Sequence, residues 1–355
     1  MVAAVAGDVF VRMNVLEVAV FTRRQVLGVL AVGGLFTAVP SVGLAQGSEE
    51  LVVYSGRKEP LIQPVLERFQ KETGVRVVLK SGDASALANQ LLEEQKNPQA
   101  DVFVANDAGV LGRLGNLGVL QPYQSASIEK IPARYRGAGW VGVTGRARVI
   151  MYNKSLIKEA DLPKSLLDLS DPKYKGKIAA AGTANESMLG QLSEMRQVLG
   201  DEKTREFVRS LVANQTTFLK GHTDVRKAVG RGEFPLGIVN HYYYHLQLAE
   251  GSPVGVIYPD QGAGQMGTMI NVSGVGIVKG AKHTAAAQRF VDFLATAPAQ
   301  EIFAQANYEF PLLPGVQAQA GVRSLGDFKV TQVPLSALAK EVDGSLKLAN
   351  GAGMP

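Results

Sequence analysis

There is no cysteine anywhere in the 355 residues. That absence removes disulfides, thiolate metal sites, cysteine nucleophiles and a lipid-modified cysteine in one step. Blocks of Lys and Arg are missing too, and the net charge of +5 is modest for this length, so the charge balance reads as solubility rather than nucleic-acid binding. The chain has no Gly-x-Ser-x-Gly, no P-loop, no His-Glu-x-x-His and no paired carboxylates at a diagnostic spacing, so no catalytic constellation stands out. Repeats and low-complexity linkers are absent. Beyond the N-terminal region, no stretch is long and apolar enough to span a bilayer.

What is present begins with an address. Thr22-Arg23-Arg24-Gln25-Val26-Leu27 precedes an apolar run over 26–39, and small residues follow to Gly43-Leu44-Ala45-Gln46. Twin arginines, an apolar stretch and a Gly-x-Ala cut site resemble a twin-arginine export signal. Cleavage is expected after Ala45, with Met1 or Met13 as the start. The apolar run is too short and Gly-rich for a good spanning helix. A periplasmic mature protein without a membrane span is the expectation.

With 46% hydrophobic residues the chain can bury a large core, and its length suggests two domains. Strand and helix patterns alternate. Short β-rich runs at 51–54, 75–79 and 102–105 are separated by helical periodicity at 59–73 and 85–95, with a short helix at 109–114. A second set follows: strands at 176–181 and 236–240, and helices at 187–199, 202–212, 224–230 and 242–250. Residues 267–278 read as a strand pair or a crossover, 283–294 and 298–306 as helices, and 335–342 as a last short helix stopped by Gly344. This order predicts an α/β fold of mixed, mostly parallel sheets flanked by helices. The boundary near 145–152 is β-rich rather than Gly/Ser-rich, so the domains are expected to be joined by strands acting as a hinge.

The most informative stretch is Asn240-His241-Tyr242-Tyr243-Tyr244-His245. A strand sends neighbours to opposite faces and a helix turns them about 100° apart, so no single core takes all three phenols. Phenolate oxygen is hard and anionic, which suits Fe(III) better than a soft metal. Gly262-Ala263-Gly264-Gln265-Met266-Gly267 has the look of a dinucleotide fingerprint, but it leads into a β-rich run rather than a helix and is set aside.

Five segments carry a family likeness: Val53-Tyr54-Ser55-Gly56-Arg57, Ala100-Asp101-Val102-Phe103, Gly145-Arg146-Ala147-Arg148-Val149, Asn240-His241-Tyr242-Tyr243 and Tyr308-Glu309-Phe310-Pro311-Leu312. With them, residues 50–355 resemble the periplasmic ferric-ion-binding proteins of ABC transporters, in the type II solute-binding fold. The resemblance implies two lobes, 49–146 plus 273–323 and 147–272 plus 324–355, closing over Fe(III), and it transfers the iron-ligand role to Tyr242 and Tyr243. It further implies delivery to an inner-membrane permease, a monomer, and no enzymatic activity. One branch of the family has a His after the first Tyr-x-Gly and a Glu after Ala-Asp-Val-Phe; here Arg57-Lys58-Glu59 and Asn106-Asp107 stand instead. Another branch has a third ligand tyrosine where this chain reads Ala184-Asn185-Glu186-Ser187. Few protein ligands are therefore implied, with a synergistic anion, commonly carbonate or bicarbonate, completing the shell.

The candidate anion contacts are Arg57, whose fork suits a planar oxyanion, and Arg146 and Arg148, which share a strand face. Asn185 at a helix start and Asn240 at a strand end serve equally as anion contacts or caps. Glu59 and Asp107 are the carboxylates that would supply an extra oxygen ligand. Two competing readings remain: a same-fold receptor for phosphate, sulfate, an organophosphate or a polyamine, and an exported enzyme such as a hydrolase.

Overall fold

The computed structural model describes residues 49–355; the export-signal reading lies outside them. β1 (Glu50–Ser55) leads into α1 (Glu59–Thr73), which buries Ile62, Val65, Leu66 and Phe69 as one stripe at helical spacing. Gly74 ends that helix in the left-handed region at φ 71°, where a Cβ would be strained. β2 (Arg76–Ser81), α2 (Ala84–Glu93), β3 (Val102–Ala105) and α3 (Ala108–Asn116) follow. α4 (Ala126–Glu129) and β4 (Arg136–Gly137) are single-turn or two-residue pieces before β5 (Trp140–Asn153), which runs for 14 residues.

The chain continues through β6 (Ile178–Ala181), α5 (Glu186–Leu199), α6 (Asp201–Ala213) and β7 (Thr217–Leu219). Then come α7 (His222–Gly230), β8 (Leu236–Asn240), α8 (His241–Ala249) and β9 (Val254–Ile257). It ends with β10 (Ile270–Ile277), α9 (Thr284–Leu294), α10 (Ala297–Asn307), β11 (Phe310–Pro311) and α11 (Val342–Gly351). Among the described residues no helix is long and apolar enough to cross a membrane.

The strands lie in the order β2-β1-β3-β10-β5-β8-β6-β7. β1 is parallel to β2 and β3, and β6 is parallel to β7 and β8. β10 runs against β3 and β5, and β5 against β8. Two parallel sets are thus joined through antiparallel strands, the mixed α/β arrangement expected. β5 serves both: Val141–Ala147 pair with β10, and Arg148–Tyr152 pair with β8.

Side-chain alternation gives the second set two covered faces. Val149, Ala179 and Val239 pack with Val225 and Val229 of α7 in the larger core. Ile150, Ile178, Ala180 and Ile238 face the other way and pack with α5, α6 and α11. A sheet buried on both faces reads in sequence as unbroken apolar runs, and β3, β6 and β8 are buried at every position.

Two local expectations need correction. Residues 267–278 give one crossover strand, β10, rather than a pair. The helix expected at 335–342 is a 3₁₀ turn at Leu335–Lys340, and α11 then runs straight through Gly344. The glycine is a site of close approach: a Cβ there would lie 2.5 Å from Nη1 of Arg196. That guanidinium donates to the Glu341 carbonyl at 2.9 Å and to Ser345 Oγ at 3.2 Å. Such contacts outweigh the roughly 1 kcal/mol that glycine costs inside a helix.

Candidate functional site

In parallel α/β sheets the carboxyl ends of the strands open onto a crevice, since each strand there turns into a helix N-terminus. Both parallel sets end at one cavity of about 270 Å³. Residues just after β1, β2 and β3 (Arg57, Asp83, Asn106) supply one wall, and residues after β6 (Asn185, Glu186) and at the end of β8 (Asn240) supply the other. Gly56 belongs to the first wall, where any Cβ would collide with Ala84 Cβ at the start of α2.

α8 starts immediately after β8, so Tyr242 and Tyr243 fall in its first turn, and both line the cavity. Their ring centroids are 4.2 Å apart with planes 30° from one another. Tyr242 is buried. Its phenol pKa is pushed well up, first by burial and then by the Tyr243 phenol beside it, while the charge of Arg146 acts the other way. In the absence of a cation this phenol keeps its proton. Tyr243 meets the His222 ring edge to face at 5.4 Å. Tyr244 is half-buried and packs on His245 with ring centroids 4.8 Å apart, away from the cavity lining.

The three candidate arginines have different surroundings. Arg57 is buried and bidentate with Glu309, at 2.8 Å and 3.2 Å, and also donates to Ser273 Oγ at 2.5 Å. Thr144 Oγ1 donates to the same carboxylate at 3.2 Å. Arg57 lines the cavity, but its charge is matched inside the wall. Arg148 donates Nη1 to His222 Nε2 at 2.9 Å and Nη2 to the Ser187 carbonyl. Burial, followed by the charge of Arg146, lowers its pKa to about 9. An arginine is always the donor, so His222 accepts on Nε2 and is neutral; burial and both arginines hold its pKa well below the usual range. Arg146 also lines the cavity and is buried, yet its Nε and Nη2 find no hydrogen-bond partner among the described residues.

Both candidate amides reach the cavity. Asn185 caps α5, accepting from the Met188 N–H at 3.2 Å. Asn240 sits at the N-cap of α8 without making a cap bond, so its amide is not spent on the helix. The two carboxylates expected as extra oxygen donors are not brought to the phenols. Glu59 is exposed in the first turn of α1, and Asp107 is buried as the cap of α3, accepting from Gly109 N–H at 2.7 Å and Asn271 Nδ2 at 2.5 Å. Neither lines the cavity.

His241 and His245 bracket the phenols. His241 is buried, accepts from the Ala147 N–H on Nδ1 at 3.1 Å and donates Nε2–H to the Tyr308 carbonyl at 2.8 Å. Its ring lies flat on Phe310, with centroids 3.9 Å apart and planes 2° from parallel. Both nitrogens are therefore taken. His245 stacks on Tyr308 at 5.3 Å, and burial lowers its pKa to about 4.

Glu186 and Glu309 line the cavity without having been singled out from the sequence. Burial, then the charges of Asp107 and Asp83, raises the Glu186 pKa to about 7. Its sequence signal was its place in the 184–187 segment, five residues after β6 ends, where another branch of the family has a ligand tyrosine; there it read as an ordinary first-turn acid. Among the described residues no three His, Asp or Glu side chains gather to hold a metal ion.

A model of the bacterial extracellular solute-binding proteins matches residues 97–326. The iron uptake protein A1 of Synechocystis sp. is 35% identical, over 86% of this chain and 87% of its own. Among solved structures, iron-bound HitA from Pseudomonas aeruginosa superposes with a TM-score of 0.80 at 28% identity, covering 86% of this chain and 99% of its own. A Trichodesmium IdiA (FutA) in complex with iron and citrate gives a TM-score of 0.76 at 31% identity, covering 86% and 100%.

Proposed function

Because this chain belongs to the bacterial extracellular solute-binding proteins, among the periplasmic ferric-ion-binding members, we propose that it captures Fe(III) in the cavity at the strand ends and hands it to an ABC permease. Tyr242 and Tyr243 bind the ion as phenolates. A trivalent cation replaces the phenol protons, since its charge favours the ionised form that burial alone disfavours. The observation that carries the reading is the pair of adjacent phenols lining one cavity beside a buried, unsatisfied guanidinium, that of Arg146.

A synergistic anion completes the shell. Arg146 is its chief contact, because a buried guanidinium with open donors costs free energy until an oxyanion meets it. Arg57 acts at one remove, its charge being held by Glu309. Asn240 and Asn185 offer amides to the same anion. Carbonate fits the planar geometry of a bidentate contact; citrate, present in the Trichodesmium complex, is the larger alternative. Arg148 positions His222 and the 187 carbonyl instead of touching the anion.

The lobes, 49–146 plus 273–323 and 147–272 plus 324–355, close about the shared strand β5, and the closed face is what the permease reads. The protein acts as an exported, monomeric receptor and not as an enzyme. Titrating the apo protein with ferric iron and bicarbonate tests the reading. A yellow-to-red phenolate-to-iron absorption band is expected, and Tyr242→Phe with Tyr243→Phe should abolish it. A protein that stays colourless with excess ferric iron, or double-Phe protein that keeps the band, overturns the proposal. Arg146→Gln should leave the band dependent on far higher bicarbonate.

A further inference from the structure

Three carboxylates line the cavity, and two are already engaged. Asp83 caps α2, accepting from the Ala86 N–H at 2.9 Å, and Glu309 holds Arg57. Glu186 meets the Ser85 N–H but forms no ion pair and no hydrogen bond to another side chain among the described residues, although it is half-buried. A carboxylate in such a place is costly unless a cation meets it.

Topology brings that carboxylate to the same cavity as the phenols. β6 and β8 are parallel neighbours, with Ile178 opposite Leu236 and Ala179 opposite Gly237. Neighbouring strands lie about 4.8 Å apart. Glu186 opens α5 after β6, and Tyr242 and Tyr243 open α8 after β8. The three side chains thus leave one side of one sheet at adjacent strand ends, and all three line the same cavity.

We propose that Glu186 is a third protein oxygen donor to the ferric ion, alongside Tyr242 and Tyr243. This rests on the ferric reading above. Two phenolates carry two negative charges and the carboxylate a third, which together balance Fe(III). The ion and its three donors then form a neutral unit on one lobe, and the anion answers Arg146 instead of the ion's residual charge. Glu186 is a hard oxygen donor of the type Fe(III) selects.

The test uses the mature protein, loaded with ferric nitrilotriacetate in bicarbonate buffer and then challenged with citrate. Glu186→Gln keeps the size of the side chain and removes its charge. The visible band should persist but shift in wavelength, and the citrate concentration that strips half the iron should fall more than about tenfold, the scale on which even outer ligand partners act. Glu186→Asp keeps the charge on a shorter arm and should fall between the two. Circular dichroism of the apo variants checks the fold, and the Asp variant carries the test if the Gln variant does not fold. An E186Q protein whose band position and citrate midpoint match the wild type overturns this proposal alone. A wild type that develops no colour overturns the ferric reading and this proposal with it.

Discussion

Glu309→Gln is the sharpest probe of how the cavity wall is held. Arg57 and Glu309 are each 1% exposed. Their contact is bidentate, and the guanidinium also donates to Ser273 while Thr144 donates to the carboxylate. Replacing the carboxylate by an amide leaves Arg57 charged and uncompensated. Removing one partner of a buried pair costs about 3–5 kcal/mol. For a chain of this size each kcal/mol moves the melting temperature by about 2 °C, so a drop of roughly 6–10 °C is expected. Arg57→Met combined with Glu309→Leu removes both charges and should recover most of that loss, because a buried pair replaced by apolar groups of similar volume is often neutral. The assay is thermal unfolding of the apo protein by circular dichroism for Glu309→Gln and, to close a cycle, for Arg57→Met, Glu309→Leu and their double. The cycle should show a coupling of about 3 kcal/mol. An E309Q protein melting within about 2 °C of the wild type, roughly 1 kcal/mol, refutes the matched-charge account of Arg57.

Glu194 is buried, and burial raises its pKa from the ordinary 4.5 to about 8. The folded state therefore binds its proton more tightly than the unfolded chain. The stability this gives is complete below about pH 4.5 and drains away as pH rises towards 8, by up to about 1.4 kcal/mol per pH unit. Glu194→Gln should flatten that slope in urea midpoints taken across the window; an unchanged slope counts against it. At Gly115 any Cβ would collide with the Ala138 carbonyl oxygen; Gly115→Val should cost about 1–3 kcal/mol in urea unfolding, and a neutral result would mean that the backbone gives way. Since burial holds the Tyr242 phenol protonated, ferric loading at neutral pH should release protons and apparent affinity should rise with pH. Calorimetry in buffers of different ionisation heat reads that release directly, and buffer-independent heats would refute it.

Much of the architecture was legible because its signals are local. α1 spans the residues its apolar spacing marks out, and β3 and β8 were visible as short apolar runs at their observed bounds. The two phenols stood out because consecutive aromatic residues at a helix start do not share one packing surface. What escaped depends on distant partners. Nothing near Arg57 announces Glu309, which lies 252 residues away, so the arginine read as an open anion contact when its charge is in fact matched. Asp107 and Glu59 read as spare carboxylates, yet one is consumed as the α3 cap and the other faces solvent. Glu186 was passed over for the converse reason: a first-turn acid looks the same whether it faces solvent or a cavity. Gly344 misled as a stop because the guanidinium of Arg196 that requires it belongs to another helix.

His241 is gripped at both nitrogens and on one ring face, by the Ala147 N–H, the Tyr308 carbonyl and Phe310. The helix that presents Tyr242 and Tyr243 is therefore aimed before any cargo arrives. On the ferric reading proposed above, orientational freedom that the two rings would otherwise surrender on binding has already been surrendered during folding. Capture then needs little rearrangement on that side, and loosening the grip, by altering Phe310 for instance, should register as faster escape of the ion more than as slower uptake.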